Sequence, residues 1–159
     1  MALLQAFLSG LSFADLIPGA PSFWDFSRWF QVRARTSTTF PWAHIEETAG
    51  IEQAVDIYFR YLDEFRSNKC SEIAEVFPPF CATFLTIVNG EHVPPDVPER
   101  MSLVRLTPSE VIFLSEHYPE RPVPETDAFP SVVEAYEKAK RKWGVAHDRW
   151  TATGVTGAG

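Results

Sequence analysis

The chain has 159 residues, of which 45% are hydrophobic and 22% charged, and its formal net charge is −7. That balance fits a folded domain rather than a disordered chain, and the negative charge excludes a general nucleic-acid binder, which needs a basic surface to neutralise phosphates. Aromatic residues at 14% and 13 prolines point to a chain that drapes over a partner as well as folding on itself, because aromatics anchor interfaces and prolines shorten regular elements.

Residues 2–17 are strongly apolar. Leu4, Phe7, Leu8 and Leu11 share one helical face, and Ile17-Pro18-Gly19 ends the run. No Lys or Arg precedes it, so it lacks the basic start of a secretory signal. With Gln5 and Asp15 inside, it is too short and too polar to span a bilayer. It reads as an amphipathic helix docked on this domain's own core, with a partner or a membrane surface as the alternative.

Ser22 opens a second predicted helix, which runs to Arg35. Phe23, Trp24, Phe26, Trp29 and Phe30 crowd into its first half, beside Arg28, Arg33 and Arg35. So many aromatics are hard to cover inside a small domain, which with the arginines makes this helix a candidate docking surface for an acidic protein surface, the alternative being core packing with solvated arginines. The run Thr36 to Thr39 favours a loop, and Phe40-Pro41-Trp42 reads as a turn or extended corner.

The helix expected at the centre of the fold is Thr48 to Ser67, with Thr48 as its N-cap. Ile51, Ala54, Val55, Tyr58, Leu62 and Phe65 form its apolar stripe. Ile57, Phe59 and Tyr61 widen the stripe, and Phe59 and Tyr61 join the candidate partner-binding set. Arg60 is four residues from both Asp56 and Glu64, a spacing that allows weak ion pairs on the wet face.

Beyond it, Pro78-Pro79 breaks any helix begun at Ser71. The apolar run Phe80 to Val88 could be strand or helix, because periodicity cannot decide. Asn89-Gly90 is a turn signal. Pro94, Pro95 and Pro98 make an extended connection. Met101 to Leu106 suits a short strand. Thr107-Pro108-Ser109-Glu110 has the pattern of a helix start, with Thr107 as cap and Pro108 at the first helical position, so a helix carrying Val111, Ile112 and Leu114 is expected to end near Tyr118-Pro119. After a second Pro-rich connection, Val132, Tyr136, Ala139 and Trp143 mark a last helix from Ser131, stopped at Gly144. Its basic cluster, Lys138 to Lys142, complements the helix C-terminus. The tail from Thr151 is expected to be disordered.

No Gly-rich phosphate loop, G-x-S-x-G, H-E-x-x-H or paired C-x-x-C is present. Cys70 and Cys81 have no metal-type spacing and read as buried thiols in a reducing compartment, with a single disulfide in an oxidising one as the alternative. His44 near Glu46 and Glu47, and His147 beside Asp148, supply no defined geometry by sequence alone.

The resulting expectation is a mainly α fold. Residues 1–150 would form one helical domain with long Pro-rich connections and room for one short strand pair, and residues 151–159 a tail. No catalytic residue, metal ligand or cofactor is assigned. The function expected is that of a non-enzymatic accessory or structural subunit of a larger intracellular assembly. Its partners would be other protein subunits, with an organellar or membrane-associated complex allowed and nucleic acid excluded. The alternatives are a small acidic inhibitor of a basic partner and a small-molecule-binding or catalytic domain.

Overall fold

The computed structural model describes residues 23–153, which fall into two units with a boundary between Asn68 and Lys69. The helix expected over residues 2–17, the cap at Ser22 and residues 154–159 lie outside the described residues.

The first unit is helical: α1 (Phe23–Ala34), α2 (Pro41–Ala49) and α3 (Ile51–Ser67). Along α3, Ala54, Tyr58, Leu62 and Phe65 are buried at helical spacing, whereas Ile51 and Val55 are exposed. Phe26, Trp29 and Phe30 of α1 and Ile45 of α2 complete this core. Its aromatic rings meet edge-on or tilted, with centroids 5.6 Å apart for Phe26–Tyr58, 5.5 Å for Trp29–Phe65 and 5.0 Å for Phe30–Tyr61, the arrangement that ring quadrupoles favour. Arg33 of α1 donates to Glu64 of α3 at 2.6 Å, so Glu64 is held across the unit by Arg33.

Two local expectations are corrected here. Phe40-Pro41-Trp42 starts a helix, with Pro41 in its first turn, where a missing N–H is harmless. Thr48 is not the cap of α3. It lies in α2, where its hydroxyl donates to the His44 carbonyl at 2.8 Å, and Gly50, at φ +78°, joins α2 to α3.

The second unit overturns the mainly α expectation. It holds a five-stranded antiparallel sheet of β1 (Lys69–Val76), β4 (Arg100–Thr107), β5 (Val111–His117), β6 (Glu125–Phe129) and β7 (Thr151–Ala152), in the order β6-β5-β4-β1-β7. A separate two-stranded sheet pairs β2 (Thr86–Val88) with β3 (Glu91–Val93). Helix α4 (Val132–Trp143) follows β6 and leads back to β7 at the opposite sheet edge. Ala135, Ala139 and Trp143 of α4 pack with Ala74, Met101, Leu103, Ile112 and Leu114 of the sheet.

The physical reasons for the missed strands are specific. Val111 to Glu116 are all buried, so β5 lacks the alternation of a half-exposed strand and reads as an apolar run of either kind. The turn Thr107 to Glu110 uses the same hydroxyl, proline and acid residues as a helix start. In β1 the register shifts between Glu72 and Ala74, and such a bulge breaks the period of two. Thr151 and Ala152, assigned by composition to the tail, pair with Glu75 and Ala74 of β1.

Helix α4 follows its sequence signals. The Ser131 side chain accepts from the Glu134 N–H at the N-cap, and Gly144 adopts the left-handed conformation at the end, with φ 65°. A Cβ at Gly144 would lie 3.3 Å from the Cys81 carbonyl oxygen, so space as well as backbone conformation selects glycine there.

Candidate interaction surface

The aromatic set selected from sequence divides in the structure. Phe26 (2% exposed), Trp29 (0%) and Phe30 (0%) are interior. Tyr61 is half-buried against Trp29 and Phe30. Trp24 (55%) and Phe59 (38%) are exposed. Phe23 begins α1, and its side chain lies outside the described residues. The three core aromatics of α1 are thus covered by α3, and Trp24 and Phe59 are the exposed members of the set.

The polar clusters of the second unit have architectural geometry. Arg100 donates to Glu72 at 3.1 and 3.2 Å and to Glu75 at 3.2 Å, tying β4 to β1. His117 Nε2 lies 2.9 Å from Ser102 Oγ and 3.3 Å from Arg100 Nη2. Arginine can only donate, so Nε2 is the accepting nitrogen and the ring proton sits on Nδ1. Burial, and then the neighbouring Arg100 charge, hold the His117 pKa below its ordinary value. Ser102 is buried and its hydroxyl shares one ring nitrogen with a guanidinium, which is not the arrangement of an accessible nucleophile and its base.

Glu116, on the α4 side of β5, is buried and accepts three hydrogen bonds: Trp143 Nε1 at 3.0 Å, Lys142 Nζ at 2.6 Å and Tyr118 OH at 2.8 Å. Burial, and then its bond to this carboxylate, push the Tyr118 hydroxyl well above the ordinary phenol range. Cys70 and Cys81 are not joined in a disulfide and both are exposed, which corrects the expectation of buried thiols. His44 lies 3.3 Å from the Thr36 hydroxyl, while Glu46 accepts from Trp42 Nε1 at 2.9 Å. His147 packs its ring edge-on to Tyr136, with centroids 4.3 Å apart, beside an open groove of about 340 Å³ along α4. Among the described residues, no group of three His, Cys, Asp or Glu side chains is placed to hold a metal ion, and no helix is long and apolar enough to cross a membrane.

The feature that sequence reasoning missed is the connection between β1 and β4. These strands are sheet neighbours, and a hairpin link needs about two to five residues, yet the chain inserts Phe77 to Glu99. The first part of the insertion folds back on α4. Phe84 lies edge-on to Trp143 with centroids 5.4 Å apart, Cys81 N–H donates to the Trp143 carbonyl at 2.9 Å, and Thr83 N–H donates to the Lys142 carbonyl at 3.1 Å. The Arg149 guanidinium donates to the carbonyls of Pro79 and Phe77, both at 2.6 Å.

The second part, Leu85 to Val97, is an arm. Within its hairpin every residue but Thr86 is exposed. Leu85 is 67% and Ile87 66% exposed, and Val88, Val93 and Val97 are exposed as well. The turn between the strands has positive φ at both central residues, 51° at Asn89 and 84° at Gly90, the type I′ geometry that Asn-Gly supplies. The Asn-Gly pair was the legible signal. The alternation after it, in which Glu91 and His92 precede Val93, is too short to mark a strand by itself.

Comparison with protein-family models, curated proteins and solved structures finds no match to this chain.

Proposed function

We propose that this protein is a non-enzymatic accessory or structural subunit of a larger protein assembly, and that its arm, Leu85 to Val97, docks another subunit. The observation that carries this reading is the exposed apolar hairpin β2–β3. An isolated two-stranded hairpin is marginally stable in water, and apolar side chains gain free energy only when water is removed from them. Connections much longer than the fold requires are generally functional. Trp24 and Phe59 add apolar surface on the helical unit.

The test is the native mass of the chain under gentle extraction from its source. The wild-type chain should travel in a complex well above its own 18.0 kDa, and a Leu85→Ser/Ile87→Ser variant should run alone. A wild-type chain that runs alone overturns the reading, as does a double variant that assembles like wild type.

A further inference from the structure

We infer that the partner enters as an extended segment of alternating basic and apolar residues, which adds as a third strand to the outer edge of β2. The inference rests on the reading of the arm as the docking surface and names the chemistry of its occupant.

The register identifies the open backbone groups. Val88 pairs with Glu91 across the two-residue turn, Ile87 with His92, and Thr86 with Val93. Next to such a turn the first pair is the hydrogen-bonded one, and the bonding alternates along the strands. The Ile87 N–H and C=O therefore point away from β3, towards the open edge of β2. This is the pattern by which a sheet edge captures an extended peptide.

The two edges of the hairpin are not equivalent. The β3 side carries Glu91 and runs into Pro94 and Pro95, and charge and proline are the usual guards against strand addition. The β2 side, Leu85 to Val88, has neither.

Charge selects the occupant. From Cys70 to Glu99 the chain contains Glu72, Glu75, Glu91, Asp96 and Glu99 and no Lys or Arg. Glu72 and Glu75 are held by Arg100, and Asp96 by Arg121. Glu91 forms no ion pair among the described residues. A second copy of the chain would bring a like-charged segment to this edge, which disfavours self-pairing. A basic segment gains from the same field. Successive side chains of an added strand point to opposite faces of the sheet, so its apolar residues cover Leu85 and Ile87 while its basic residues lie on the Glu91 face.

The experiment uses the full chain and three synthetic peptides: an eight-residue alternation of Lys and Val, its Glu and Val counterpart, and the basic peptide N-methylated at every second residue. Binding is read by fluorescence anisotropy at low and high salt. The basic peptide should bind saturably, weakening about tenfold or more at high salt as screening removes the charge attraction. The acidic and N-methylated peptides should not bind. Ile87→Pro, which deletes the outward N–H, should abolish binding, and the N-methylated peptide tests the same bond without altering the chain. Equal binding of the acidic or the N-methylated peptide overturns the inference. Failure of the basic peptide, with a Leu85→Ser/Ile87→Ser variant that still drops out of the native complex, overturns strand addition and leaves the docking reading intact. A double variant that remains in the complex overturns both. Dimerisation of the chain through the arm overturns the choice of occupant.

Discussion

Glu116 holds together three parts of the second unit. Its carboxylate is buried in β5 and accepts from Trp143 and Lys142 of α4 and from Tyr118 just beyond the strand. A buried carboxylate is tolerated only when donors replace the water it has lost. Removing it reverses the problem, because the Trp143 N–H and the Tyr118 hydroxyl are then buried without an acceptor. Glu116→Ala should therefore destabilise the protein by about 3–5 kcal/mol, read as a lower midpoint of urea unfolding. His117 makes a second residue-scale prediction. Its Nε2 accepts from Arg100 and Ser102, so protonation would break both bonds and set a cation beside the guanidinium. Its folded pKa lies below the ordinary value of 6.5, so the unfolded chain takes up the proton first. The stabilisation from neutral His117 is then complete above about pH 6.5 and declines as pH falls below it. Wild type should lose more stability between pH 7.5 and pH 5.5 than His117→Gln does. Equal losses, measured by urea unfolding at both pH values, would exclude His117 as the source.

Helix α1 illustrates how an element distributes its aromatics. Trp29 is wholly buried against Phe65 and Tyr61, whereas Trp24, on the same helix, is exposed. The two tryptophans therefore have different roles. Trp29→Ala should destabilise the protein by about 3–5 kcal/mol through the cavity it leaves. Trp24→Ser should cost much less stability than Trp29→Ala, because Trp24 is largely at the surface, and a loss of assembly in a variant that stays folded reports on docking. Thermal unfolding of the two variants separates these outcomes. A double substitution of Trp24 and Trp29 would confuse lost folding with lost binding. The arm is the corresponding case among the strands: Ile87 is 66% exposed, so changes there act mainly on binding.

At the scale of the whole molecule, the helical unit has a core of aromatics and the sheet unit a core of aliphatics closed by Trp143. The five-stranded sheet is a run of antiparallel neighbours, with the arm inserted between β1 and β4 and α4 returning the chain to β1's other side. The arm contributes no strand to that five-stranded sheet. A net charge of −7 opposes association between copies of the chain, in keeping with the basic partner proposed for the arm.

The sequence alone determined the features with local causes. The α3 stripe through Ala54, Tyr58, Leu62 and Phe65, the Ser131 cap and Gly144 stop of α4, and the Asn89-Gly90 turn each depend on residues within one or two helical turns of one another. Tertiary structure decided the rest. Whether Val111 to Glu116 became strand or helix depended on β4 and β6 arriving beside it, because a run buried on both faces carries no period of its own. The burial of Trp29 and Phe30 depended on α3, and the exposure of Ile87 on the absence of any element packed over β2 among the described residues. Apolar side chains look alike in a sequence whether they fill a core or wait for a partner, since only the three-dimensional fold determines which of them meet water.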